Sequence, residues 1–221
     1  MARIRQVAVL GTAALAALAL TAAPASAATT TIRAGSATAD PYSGAVQASL
    51  LGEASVSASI GSGSCSESTM TGSIESDGSG LTIDSAEFGE CSGTADVTIT
   101  TLDLPWQGGA VVYDPAHTNG RDAAITIANF KVRAVVDLFG GIGCNFGGTL
   151  TADGFNGDNP ARPETGSGEA QVGVNNATVN RQSGSHFLCP STAKVTATYA
   201  LQGESEAGSG TFDQSLYVTG D

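Results

Sequence analysis

Residues 128–138 read ANFKVRAVVDL, and apolar and polar side chains alternate along this segment. Its apolar face consists of Ala128, Phe130, Val132, Ala134, Val136 and Leu138. Its opposite face carries the polar residues Asn129, Lys131, Arg133 and Asp137. Alternation with a period of two is typical of a β-strand that buries one face and exposes the other to water. We therefore predict a half-buried strand over this segment.

The same alternation recurs elsewhere along the chain. Apolar or small residues occupy every second position in residues 56–60, 70–74 and 195–201. Polar, glycine-rich clusters separate these segments and predict turns, at residues 76–80, 108–109, 119–120, 140–141 and 153–154. Many short strands joined by such turns predict an all-β fold, either an antiparallel β-sandwich or a barrel.

The first 27 residues have the layout of a cleaved signal peptide. Arg3 and Arg5 precede an apolar run, and small residues stand at Ala25 and Ala27, as a signal peptidase site requires. The apolar run is shorter than the roughly 20 residues that a membrane-spanning helix needs. We therefore predict an exported protein. Residues 28–44 would be a linker or a first strand, and residues 45–221 a single all-β domain.

The net charge disfavours two classes of partner. The chain carries 21 acidic and 9 basic residues, a formal charge of −12. Two of the basic residues lie in residues 1–27, which contain no acidic residue, so the exported part carries −14. Binding to nucleic acid or to anionic membranes depends on basic charge. No second apolar stretch has membrane-spanning length, so we predict neither a nucleic-acid partner nor a membrane-embedded protein.

Four cysteines in an exported chain predict two disulfides. Three pairings are open, and we favour Cys65–Cys91 with Cys144–Cys189 because each would bridge neighbouring strands. The alternative is a metal site, but the sequence has no Cys-x-x-Cys pair and only two histidines. We therefore expect no bound metal and no cofactor.

The sequence offers little that could carry catalysis. It contains no nucleophile elbow, no zinc-protease helix motif and no phosphate-binding loop. The histidines His117 and His186 both fall in predicted loops. The single tryptophan, Trp106, follows Leu104–Pro105 and is either a plug over the core or a ligand platform on which a sugar ring could stack.

These observations predict a non-enzymatic β-domain that acts at the cell surface or in the medium as a structural or interaction module. One alternative is a module that binds glycan or cell wall through Trp106. Another is a secreted protease inhibitor that presents a rigid loop near residues 188–190, next to a disulfide. The partner is unknown in the first case, a cell-wall glycan in the second and an extracellular protein in the third.

Several landmarks together resemble a recurrent type of small secreted protein from streptomycetes and related actinobacteria. The landmarks are CSES at residues 65–68, TG at 71–72, FGEC at 88–91, LPW at 104–106, GC at 143–144, LCP at 188–190 and LYV at 216–218. A more distant similarity is to the alkane-oxidation activator family. The resemblance implies an exported, β-rich protein, and it assigns no catalytic residue.

Overall fold

The computed structural model describes residues 29–137 and 141–221, so the predicted signal peptide lies outside the described residues. The described chain forms eleven strands and one 3-10 turn at Thr118–Gly120. The strands are β1 (Thr30–Ala34), β2 (Gly44–Ala58), β3 (Gly61–Ile74), β4 (Leu81–Gly93), β5 (Val97–Thr101), β6 (Trp106–Tyr113), β7 (Ala123–Val136), β8 (Ile142–Phe155), β9 (Ala170–Arg181), β10 (Thr192–Glu204) and β11 (Phe212–Gly220). In this part of the chain no helix is long and apolar enough to cross a membrane.

Eight of the strands close into an antiparallel barrel. Going round the wall, their order is β2, β3, β4, β6, β7, β8, β9 and β10, and β10 pairs with both β9 and β2 to close the ring. Strand β5 pairs with one half of β7, and β6 pairs with the other half. The all-β prediction is confirmed, and of its two alternatives the chain adopts the barrel.

Strands β1 and β11 form a two-stranded ribbon outside the ring. β1 pairs with β11 along its whole length, from Thr30 opposite Gly220 to Ala34 opposite Leu216. β11 joins the barrel through the last residues of β10, Gln202–Glu204. Residues 28–44 therefore contain a first strand, and this strand shares a sheet with the rest of the chain.

The strands are longer than the glycine distribution suggested. Three glycines placed in turns by the sequence lie inside strands: Gly108 and Gly109 in β6, and Gly154 in β8. A Cβ at Gly109 would lie 2.7 Å from the carbonyl oxygen of Thr126, and one at Gly154 would lie 3.0 Å from Cδ1 of Ile125. These two glycines allow a neighbouring strand to approach closely, which is why they interrupt no strand.

Residues 128–136 of the predicted strand lie in β7, whereas Leu138 and the predicted turn at residues 140–141 lie wholly or partly outside the described residues. Phe130 and Val132 are buried in the barrel, as the alternation predicts. Asn129 has φ of 57°, and the pairing of β7 with β8 shifts between Ile127 and Phe130. This bulge changes the phase of the alternation, so Ile127 faces inward with Phe130 while Ala128 does not line the interior.

Both predicted disulfides are confirmed. Cys65–Cys91 links directly paired positions of β3 and β4. Cys144–Cys189 links β8 to the connection between β9 and β10. Two disulfides are consistent with an extracellular protein.

Candidate functional site

The two ends of the barrel are built differently. At one end, which we call the capped end, the β1–β11 ribbon lies across the barrel and buries Ile32, Leu216 and Val218. At the other, which we call the open end, the described chain has the β2–β3, β4–β5 and β9–β10 connections and the two ends of the β7–β8 connection around the rim. An interior site would therefore reach solvent through the open end.

Hydrogen bonds fix the ribbon at the capped end. The backbone N–H of Ile32 donates to the carbonyl of Ser76, 2.7 Å away, in the β3–β4 turn. The backbone N–H of Tyr113 donates to Oγ1 of Thr30 at 2.9 Å. Because β4 pairs with β6, the β3–β4 turn and the end of β6 are neighbours, and the two bonds fix β1 to this side of the capped end.

Asn156, directly after β8, joins the ribbon to the barrel, a role that no sequence pattern indicates. Its side chain is buried; Nδ2 donates to the carbonyl of Val218 at 3.0 Å, and Oδ1 accepts from the N–H of Val218 at 2.8 Å. The side-chain amide of Asn156 thus forms the two hydrogen bonds with the backbone of Val218 that a neighbouring strand would otherwise form. In the sequence, Asn156 begins a polar stretch that extends to Gly168, in which a buried side chain is unexpected.

Exposure rises along β2 toward the open end. Val46 is buried, the inward-facing residues Ala54 and Val56 are half-buried, and Ile60 is 48 % exposed. Half-buried Val97 of β5 lies at the same rim. Apolar side chains at the rim of the open end therefore meet water, next to the polar lining residues Ser62 and Thr94.

A cavity of about 290 Å³ runs through the interior between the two ends. Its lining extends from Ile32 in the ribbon to Ile60 at the rim. Among the described residues no charged side chain lines it; its large lining side chains include Met70, Ile83, Trp106, Phe130, Phe146, Leu150, Tyr199 and Leu201. Such a lining favours uncharged, apolar occupants.

The structure places the candidate ligand platform, Trp106, inside the barrel wall. The residue is 1 % exposed, its Nε1–H donates to the carbonyl of Leu102 at 2.8 Å, and its ring lies 4.9 Å from that of Phe130. A sugar bound at the surface needs an accessible indole face, which Trp106 does not present. Its ring lines the cavity, so a ligand that contacts it lies inside.

One pair of buried hydroxyl groups lies beside the cavity, whose lining also includes the polar residues Asn156, Gln171, Thr71 and Thr196. Tyr199 of β10 is 5 % exposed and Ser68 of β3 is 7 % exposed, and their side-chain oxygens lie 3.2 Å apart. The two residues are separated by 131 positions in sequence. Their strands are both neighbours of β2, and the long side chain of Tyr199 spans β2 to reach Ser68. Burial raises the pKa of Tyr199 above its ordinary value, so the phenol keeps its proton.

The ionic groups at the capped end form a small network outside the cavity. Arg121 donates through Nε to Asp114 at 2.7 Å and through Nη1 to Asp153 at 2.9 Å. The hydrogen bond from Arg121 is the main reason that the pKa of Asp114 falls to about 2, and hydrogen bonds from Thr118 add to the effect. The network fixes the β6–β7 connection against β8.

The hydrogen bonds to Asp114 should make the thermal stability of the protein depend on pH. Because the pKa of Asp114 is lower in the folded state, its contribution is complete above about pH 4 and is lost as the pH falls toward 2. We expect the melting temperature of the wild type to fall between pH 4 and 2 more steeply than that of Asp114→Asn. Asp213→Asn, which changes an exposed carboxylate outside the network, should follow the wild type; equal slopes for all three proteins would contradict this role of Asp114.

The histidines do not form a common site. His117 lies in the β6–β7 connection at the capped end, and His186 lies in the β9–β10 connection at the open end. Residues 29–137 and 141–221 contain no group of three metal-binding side chains. The barrel interior remains the best-defined candidate site in the described chain.

The loop considered for protease inhibition is a tight turn. The N–H of Cys189 donates to the carbonyl of His186 at 3.0 Å, which leaves Phe187 and Leu188 at the tip. Phe187 is 80 % exposed. A protease cleft accommodates an extended segment, so this turn gives the inhibitor alternative no support.

Comparison with known proteins adds no family to this description. No family model matches the sequence, and no curated protein and no solved structure matches it significantly. The resemblance to secreted actinobacterial proteins therefore stays a prediction. The fold and the cavity together define the class of protein: a disulfide-linked, eight-stranded antiparallel barrel with an apolar interior.

Proposed function

We propose that this chain is an exported, non-enzymatic protein that binds one small apolar molecule inside its barrel. The interior cavity, with its uncharged lining among the described residues, carries the proposal. Ligand pockets are concave and mostly apolar, with a few polar groups. Antiparallel barrels of eight strands are wide enough to hold one small ligand. No cofactor is needed for this function.

The extracellular setting of the proposal rests on two features. Residues 1–27 have the composition of a signal peptide, and both disulfides suit an oxidising compartment. An apolar molecule is poorly soluble in that environment, and enclosure in a barrel removes its surface from water. We therefore propose that the protein acts in the medium or at the cell surface by holding such a molecule.

The cavity volume sets the size of the ligand. An apolar cavity of roughly 150 Å³ in another protein binds benzene. A cavity of about 290 Å³ therefore suits a molecule of roughly 12 non-hydrogen atoms. Because the lining reaches from the ribbon to the open rim, an elongated molecule would use more of it than a compact one.

Filling the cavity should abolish binding. Ala197 faces the cavity from β10, and Ala197→Met would add three heavy atoms to the space that the ligand occupies. Each lost methylene contact costs about 0.8 kcal/mol of burial, so we expect retention of n-undecane from vapour to fall at least tenfold. Headspace gas chromatography over the folded protein measures this retention.

The matched control is Ala124→Met on β7, since Ala124 pairs with exposed Val112 and does not line the cavity. This variant should retain n-undecane as the wild type does. Trp106, the only tryptophan in the chain, gives a second readout because its emission should change when the cavity fills. Equal retention by both methionine variants, or no retention by the wild type, would refute the proposed function.

A further inference from the structure

We infer that the ligand is a neutral molecule with an apolar body and one hydrogen-bond acceptor, selected by the hydroxyl pair Ser68–Tyr199. This inference rests on the proposed function and specifies the chemical class of the ligand. Three features carry it: the position of the pair, the donor that the pair leaves unused and the absence of charge around it among the described residues.

The hydroxyl pair reaches the cavity through Tyr199, which lines it. Ser68 is not a lining residue, but it is buried on the same side of β3 as the lining residues Met70 and Ile74. Both residues are more than nine-tenths buried. A ligand beside Tyr199 therefore meets a phenol in a mostly apolar wall, whose buried amides Asn156 and Gln171 are already hydrogen-bonded within the protein.

The pair retains an unused donor. Two hydroxyl groups supply two O–H donors, and the bond between Tyr199 and Ser68 uses one of them. Within the described residues neither side chain makes another hydrogen bond. The distance of 3.2 Å is long for a bond between two hydroxyls, so a better acceptor would compete with it. The phenol of Tyr199 donates to Oγ of Ser68, which leaves the Ser68 O–H unused. An acceptor beside Tyr199 would take the phenol proton, and the Ser68 O–H would then donate to the phenol oxygen, so that both donors are paired.

The surroundings of the pair favour a neutral ligand. No basic side chain lines the described part of the cavity, so an ionised carboxylate would enter without a countercharge. Burial of an unpaired charge costs far more than one hydrogen bond returns. Ketones, esters, ethers and alcohols meet both conditions, whereas fatty-acid anions fail the second and alkanes leave the donor unpaired.

The experiment compares 2-decanone with n-undecane, which have the same number of non-hydrogen atoms but differ in the acceptor. Headspace gas chromatography measures the retention of each probe by the wild type, Tyr199→Phe and Ser68→Ala, all as folded, disulfide-bonded chains. We expect both variants to retain 2-decanone about three- to tenfold less than the wild type does. Retention of n-undecane should change by less than about twofold, because it makes no hydrogen bond.

The control variant is Tyr113→Phe, which removes a phenol that does not line the cavity; it should retain both probes normally. Unchanged retention of 2-decanone in both Tyr199→Phe and Ser68→Ala would overturn the inference, while n-undecane binding would still support the proposed function. Failure of the wild type to retain either probe would overturn both. Tyr199 and Ser68 lie on different strands. If one of the two variants fails to fold, retention of 2-decanone by the other still distinguishes these outcomes.

Discussion

Replacement of Trp106 by alanine is expected to lower the free energy of unfolding by about 3–5 kcal/mol. The indole is 1 % exposed and packs against Phe130, so its removal enlarges the cavity without allowing the wall to close. It also leaves the carbonyl of Leu102 without the donor that it has at 2.8 Å. Urea unfolding followed by far-ultraviolet circular dichroism measures the change, since no tryptophan remains for fluorescence.

Two further variants show how much of the loss in Trp106→Ala comes from the buried ring and its N–H. Trp106→Phe keeps most of the ring but loses the N–H, and should cost a smaller amount, roughly 2 kcal/mol. Gln107→Ala changes the next residue, which is exposed, and should stay within about 0.5 kcal/mol of the wild type. A Trp106→Ala loss as small as that of Gln107→Ala would contradict the placement of the indole inside the barrel.

Removal of Cys144–Cys189 by the double replacement Cys144→Ala, Cys189→Ala is expected to lower the free energy of unfolding by about 4 kcal/mol. The bond closes a loop of 45 residues, and its loss restores that conformational freedom to the unfolded chain. The corresponding replacement of Cys65 and Cys91, which close a loop of 26 residues, should cost about 3.5 kcal/mol. Urea unfolding under non-reducing conditions gives both values.

The control for disulfide removal is the double replacement Ser64→Ala, Ser92→Ala. These serines are paired across β3 and β4 next to Cys65–Cys91, but no covalent bond joins them. We expect a change of less than about 1 kcal/mol. If both cysteine variants also lost less than about 1 kcal/mol, the strand pairing rather than the crosslinks would determine stability at the open end.

Much of the wall could be predicted from residue alternation. The inward positions of residues 56–60, 70–74 and 195–201 follow directly from their period of two. In the structure the side chains at these positions are buried or line the cavity. The phase within β7 could not be predicted, because the bulge at Asn129 exchanges the two faces partway along the strand. The alternation of apolar and polar residues carries no information about a single residue with a positive φ, such as Asn129.

The candidate site depended on closure of the ring, which the sequence does not encode locally. An alternating strand fits a sandwich as well as a barrel, and the choice follows from the pairing of β10 with β2, more than 130 positions apart. Ser68 and Tyr199 are each an ordinary strand residue until that closure brings their hydroxyls together. The cavity could therefore not be predicted, although most of its lining could.

An NMR measurement of which protons lie next to a bound ligand tests the central claim most directly. With 2-decanone present, we expect intermolecular nuclear Overhauser effects to the methyl groups of Met70 and Ile83, which line the cavity. We expect none to Val112, which is exposed on the outer face. Contacts confined to Val112 or to the exposed ring of Phe187 would mean association with the surface and would contradict binding inside the barrel.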